Sequence, residues 1–144
     1  PHAASAPHAQ LEARRPLAQL TAPGGLSLSI TSARRDRAGY VTVRGNLTNN
    51  SPTVAVIPAE LRGEELKVLT TGPSLAGATL VDFPHHKRYY VLRDTEGRPL
   101  TTTGLSTLTA GESAHVFMQF PAPAAYTVGF QLPLFDTATI TISQ

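Results

Sequence analysis

Leu26, Leu28 and Ile30 alternate with Ser27, Ser29 and Thr31, and after a polar break Val41, Val43 and Leu47 alternate with Thr42, Arg44 and Asn46. A period of two sends successive side chains to opposite faces of an extended chain, so each segment has one apolar and one polar face. A surface helix would instead repeat its apolar positions at three and four residues. The chain must therefore bury several one-faced strands against one another, and antiparallel sheets with one wet face are the economical solution. The alternation returns at Val116, Met118 and Phe120, at Val128 and Phe130, and at Ile140 and Ile142. Leu28, Ile30, Val41, Val43 and these seven later positions are the expected core.

Turn chemistry divides the alternating runs. "ARRDRAG" (33–39) is a polar turn ending in Gly39, and Asn49-Asn50-Ser51-Pro52 stops the second run because Asn tolerates positive φ and Pro lacks a donor. "TVAVI" (53–57), "ATLVDF" (78–83), "RYYVLR" (88–93), "AYTVGFQL" (125–132) and "TATITIS" (137–143) read as further strands, with prolines at many of their boundaries. The only helical candidate is "AELRGEELKVLTTG" (59–72), where Gly63 interrupts a rough helical spacing; a helical turn and then a short strand at 66–69 are expected. Short strands separated by turn signals, with no long helix, indicate an all-β sandwich or barrel of about seven to nine strands.

The 144 residues make one domain by size. About two-thirds of the unfolded surface can be buried at that length, so the absence of cysteine does not preclude a self-standing core. It does exclude a disulfide framework, a thiolate metal site and a cysteine nucleophile. Residues 1–24 are rich in Pro, Ala, Gln and Gly with no sustained apolar period, and are expected to be a flexible tail or linker before a domain at 25–144. Within that tail, the small residues 4–9 resemble the segment preceding a signal-peptidase cut, which suggests a secreted or extracytoplasmic protein on the periplasm or cell-wall side. The net charge is only +2, and the arginines fall in small groups (Arg14–Arg15, Arg34–Arg35–Arg37) rather than along one stripe, which argues against nucleic acid as a partner. No apolar run approaches the ~20 residues of a membrane-spanning helix.

The densest chemistry lies in "HHKRYYVLRDTEGRPLTTTGL" (85–105). Asp94-Thr95-Glu96-Gly97 has Asp at the first turn position and Gly at the last, so both acids belong to a hairpin tip with Leu92 facing Leu100. An exposed tip is a poor place for paired glycosidase carboxylates, which sit ~5 Å apart across a substrate cleft. Adjacent His85 and His86 point to opposite sides of an extended chain. With His115 as the one further candidate ligand, no metal or other cofactor is expected. "GPSLAG" (72–77) fails the nucleophile-elbow spacing, because two residues separate Ser74 from Gly77. "NLT" (46–48) fits a glycosylation sequon but falls within an alternating strand. No catalytic residue is expected.

"VTVRGNLTNNS" resembles the strand of secreted bacterial immunoglobulin-like domains that ends in an Asn-rich turn. "KRYYVLRDTEGRPLTTTGLSTLTAGESAHVFMQFPAP" followed by "LPLFDTATITIS" is similar to a group of actinobacterial secreted and lipoprotein-associated domains. The shared features are a Tyr-rich strand, an Asp-x-x-Gly turn, a Gly-Glu-Ser lead-in to a strand, a Phe-Pro-Ala-Pro break and a Pro-x-Phe-Asp approach to the last strand. Where members carry cysteines after the Asp-x-x-Gly turn, this chain reads "RPLTTTG". The resemblance implies an immunoglobulin-like antiparallel β-sandwich and no catalytic residue. A non-catalytic binding or accessory module, engaging a protein or an anionic cell-wall polymer, is the leading expectation. A carbohydrate-binding module is the alternative, weakened by the absence of Trp; a metal carrier or an enzyme ranks lower. Binding hot spots favour Tyr, Trp and Arg, which selects His85, His86, Lys87, Arg88 and Tyr89 as the candidate interaction residues, where one strand has stopped at Pro84 and the next begins, at one end of the sandwich.

Overall fold

The computed structural model describes residues 16–63 and 72–144. The alternating segments form β2 (Leu26–Arg35), β3 (Tyr40–Asn49) and β8 (Ser113–Pro121), preceded by a short strand β1 (Ala18–Thr21). These four make one antiparallel sheet in the order β1-β2-β3-β8. A second antiparallel sheet has the order β10-β9-β5-β6, from β5 (Thr79–Asp82), β6 (Lys87–Tyr90), β9 (Thr127–Gln131) and β10 (Ala138–Thr141). The two-residue strands β4 (Ala55–Val56) and β7 (Thr107–Leu108) pair separately. The described residues thus hold ten strands rather than seven to nine; β4 falls within the expected strand at 53–57, whereas β1 and β7 are too short to carry a readable alternation.

Both four-stranded sheets contribute to one apolar cluster, giving the molecule a sandwich-like interior. Every one of the expected core residues is buried, Phe120 and Phe130 being the largest completely enclosed side chains. The expected 1–24 tail requires correction at its end. Leu20 on β1 is fully buried, pairs with Leu28 in the β1–β2 register, and belongs to the same cluster. Thr21 N–H donates to Asp136 Oδ1 at 2.9 Å, which ties β1 to the segment between β9 and β10. A four-residue strand with one apolar anchor is too short to announce itself by period. Residues 1–15, including the Arg14–Arg15 pair and the small-residue stretch, lie outside the described residues.

The register of β2 on β3 shifts between Ile30 and Ser32, a bulge opposite Gly45. A side chain at Gly45 would collide with the Ser29 carbonyl oxygen, so glycine is required by that close approach. Beyond the bulge β2 leaves β1 and meets the C-terminal end: Ser143 N–H donates to Ala33 O at 2.8 Å and Arg35 N–H donates to Ser143 O at 2.7 Å, a parallel bridge between the sheets. Arg35 reinforces this seam, donating to Pro123 O at 2.6 Å with its guanidinium 4.7 Å from the Tyr126 ring centre. On the opposite side the chain crosses from β6 to the edge of β8, where Leu92 N–H donates to Gln119 O and Gln119 N–H to Leu100 O.

The Asp94 turn is the expected hairpin. Asp94 Oδ1 accepts from Glu96 N–H and Arg98 N–H at 2.9 Å each, Leu100 N–H donates to Leu92 O, and Gly97 has φ 84°. The Asn-rich stop is also a built junction, with buried Asn49 donating its side-chain amide to Thr53 O and Leu108 O. Within the helical candidate the described residues form a 3-10 turn, Ala59–Arg62, followed by Gly63 at φ 82°. The strand expected at 66–69 lies outside the described residues. No helix among them is long and apolar enough to cross a membrane.

Candidate interaction surface on the β5–β6 hairpin

The strands β5 and β6 form a hairpin whose register pairs Thr79 with Tyr90, Leu80 with Tyr89, Val81 with Arg88 and Asp82 with Lys87. Leu80 is fully buried, so the residues alternating with it define the opposite face of the sheet. That face carries Thr79, Val81, Arg88, Tyr90 and, from β9, Gly129 and Gln131. The five candidate interaction residues are therefore divided. His85 and His86 form the hairpin tip, whereas Arg88 and Tyr89, within the strand expected at 88–93, belong to β6 together with Lys87.

At the tip, Asp82 is 1% exposed and accepts from His85 Nδ1 at 2.8 Å and from His85 N–H at 3.3 Å. The His85 ring is 59% exposed, so the pair locks the turn and leaves one edge of the imidazole in water. His86 adopts φ 56°, the left-handed conformation the four-residue connection demands. His115 stands on β8 of the other sheet, opposite Asn46. Among the described residues no three His, Asp or Glu side chains converge as a metal site would need.

Tyr89 faces inward and packs against the core, so of the two tyrosines it is Tyr90, 64% exposed, that a partner can reach. The reason is parity: the inward phase set by Leu80 claims Tyr89 and releases Arg88 and Tyr90 together. Arg88 does not wave in solvent. Its Nη1 donates to Thr79 Oγ1 at 2.9 Å and to Gln131 Oε1 at 2.6 Å, fixing the guanidinium across three strands. Both acceptors are neutral. Arg98, by comparison, lies 2.8 Å from the Glu96 carboxylate. Phe83, 57% exposed, completes the surface by laying its ring over Gly129, where a Cβ would stand 2.8 Å from its Cε2.

Two concavities flank this row. A shallow one of about 200 Å³ lies between Phe83, Lys87 and Arg88. A larger cleft of about 1140 Å³ opens at the other end of the hairpin, bounded by Tyr90, Val91, Pro99, Pro133 and Leu134, with Arg62 and Glu60 at its margin. Thr79 lines this cleft and also accepts from Arg88, so the fixed guanidinium links the two. Leu134 holds φ 74° on the cleft wall, an uncommon backbone state for a leucine. Phe83, Thr79 and Gln131 escaped the reading from residue types alone. Tyr90 lay within the window at 85–90 but outside the candidate set, and the period of two, extended from Arg88, was the signal that could have assigned it to the outer face.

Comparison of the chain with protein-family models, with curated proteins and with solved structures returned no match in any of the three.

Proposed function

We propose that this chain is an extracytoplasmic, non-catalytic binding module that engages an acidic protein surface through the outer face of β5 and β6. The observation that carries the reading is Arg88: a guanidinium clamped by two neutral acceptors and flanked by exposed Phe83 and Tyr90. A fixed arginine with no carboxylate partner among the described residues keeps donors free for a partner's carboxylate, and its side-chain entropy is already spent before binding. Arginine and tyrosine are also the residue types that dominate interface energetics. The adjoining Lys87 is exposed and adds to the positive field that would steer an acidic partner.

The proposed fold within the all-β class is the immunoglobulin-like sandwich of the secreted actinobacterial domains described above. What supports it is the connectivity. The pairs β3–β8 and β5–β9 are neighbours within their respective sheets, while β3 leads to β5 and β8 leads to β9 from one sheet to the other. That is the relation of strands B, E, C and F in an immunoglobulin sandwich, with β2, β10 and β6 in the places of A, G and C′. Extracytoplasmic placement rests on the same resemblance and on the small-residue stretch at 4–9.

The test is capture from an extracytoplasmic extract on immobilised protein, read by mass spectrometry. Wild type and an Arg37→Gln variant, changed in the distant β2–β3 turn, should retain the same acidic partner. Arg88→Gln and Tyr90→Ala should each lose it. Equal capture by all four proteins, or retention of an anionic wall polymer in place of a protein, would refute the reading.

A further inference from the structure

The β6 strand is the last in its sheet, and among the described residues no backbone group of Lys87–Tyr90 is hydrogen-bonded to anything but β5. Neither proline nor bulge interrupts it; its protection is its four-residue length and the charges of Lys87 and Arg88, which repel a like strand and attract an acidic one. The corresponding edge of the other sheet, β8, is covered by the Leu92–Thr102 excursion. One edge is therefore shielded by the chain's own hairpin, and its counterpart ends beside a cleft. The row on β6 is also graded in chemistry. Lys87 and Arg88 present cations with no carboxylate partner among the described residues, and two residues beyond Arg88 the ring of Tyr90 borders a cleft walled by Val91, Pro99 and Pro133.

We infer that the free edge of β6 takes an extended acidic peptide segment of a partner protein as an added strand, with a carboxylate on Arg88 and an apolar side chain in the cleft beside Tyr90. This rests on the proposed function and specifies its ligand. An added strand lies ~4.8 Å from β6, and same-face side chains recur every second residue, ~6.6–7 Å apart. Arg88 and Tyr90 are two residues apart on one face. The partner's carboxylate and apolar side chain are therefore also two residues apart, as acidic-x-apolar. Main-chain hydrogen bonds to the edge would supply the sequence-independent part of the affinity, and Arg88 and the cleft the selectivity. Charge complementarity selects the acid: among the described residues lining the two concavities Glu60 is the one carboxylate, against the cations of Arg62, Lys87 and Arg88.

A library of random seven-residue peptides, selected on the whole chain, tests this directly. Enriched sequences should share Asp or Glu two positions from Leu, Ile, Val or Phe. A synthetic winner should lose about tenfold or more in affinity when its acid is changed to the amide, or when the protein carries Arg88→Gln, the size expected for one charge-assisted hydrogen-bonded contact. Methylating the peptide's backbone nitrogens one at a time should weaken binding at alternate positions only, because an added strand points every second N–H at the edge. Amide chemical shifts should move along Lys87–Val91. A selection that yields no binder, winners without an acid, or a methylation profile without alternation would overturn strand addition. If methylation is without effect while Arg88→Gln still abolishes partner capture, the binding face stands and the strand mode falls. If Arg88→Gln changes neither assay, both fall.

Discussion

Truncation of Leu20 to alanine separates a docked β1 from a dispensable tail. Leu20 is completely enclosed and paired with Leu28, and its neighbour Gln19 is exposed with one side-chain hydrogen bond to Ser29. Leu→Ala at an enclosed site removes about 2–5 kcal/mol. An edge strand can settle partly into the vacated space, so the lower part of that range, about 2–3 kcal/mol, applies here. For a domain of this size each kcal/mol moves the melting temperature by ~3–5 °C, so a fall of about 10 °C is expected. Gln19→Ala loses a solvent-exposed contact and should change stability by less than ~0.5 kcal/mol. The measurement is urea unfolding of both variants at equal m-value, checked by calorimetry. The two changes sit one residue apart on the same strand and differ only in the face they occupy. Loss of less than ~0.5 kcal/mol in both would mean that β1 does not bury Leu20, and the domain would then begin at β2.

Phe120→Ala should cost about 3–5 kcal/mol in the same unfolding assay, since its ring is fully enclosed, opposite Val41 near one end of the β3–β8 pair. Gly45→Ala should be at least comparable, about 3 kcal/mol, because the new Cβ meets a backbone oxygen that cannot rotate away; an unchanged midpoint would refute the bulge geometry. Gly129→Ala should displace the Phe83 ring while altering stability by less than ~1 kcal/mol, since that ring is mostly exposed, and should weaken partner capture. Asp94→Ala should cost about 1 kcal/mol by freeing the Glu96 and Arg98 amides, with faster hydrogen exchange confined to residues 92–100 as the readout.

The core and the turns were legible before any coordinates. Alternation placed Val41, Val43, Met118 and Phe120 inside because side-chain direction along a strand follows parity and nothing else. Asp94 was legible because its side chain satisfies nearby backbone groups, a local interaction. The stop at Asn49 was legible too, but on tolerance of positive φ, whereas the side chain makes the turn by accepting from Ser51 N–H. The strand β1 was not legible, since its evidence for being structured is the partner Leu28, supplied from another segment. His85–Lys87 were read as a loop leading into a strand at 88, because consecutive histidines follow Pro84; in the fold the ladder with β5 takes in Lys87 as well and ends at Tyr90.

The residue pattern alone settled the class of object: an all-β chain with one wet and one dry face to its principal strands, and no cysteine chemistry. It also determined that Arg88 and Tyr90 share a face, once β6 is a strand. Only the tertiary structure decided which face that is, and what surrounds it. Burial of Leu80 turned Tyr89 inward and Arg88 outward. Thr79 and Gln131, distant in the chain, then met the guanidinium and fixed it, and Phe83 came to rest on Gly129. The physical reason is that parity is local, whereas the choice between its two settings is made by where the rest of the chain offers an interior.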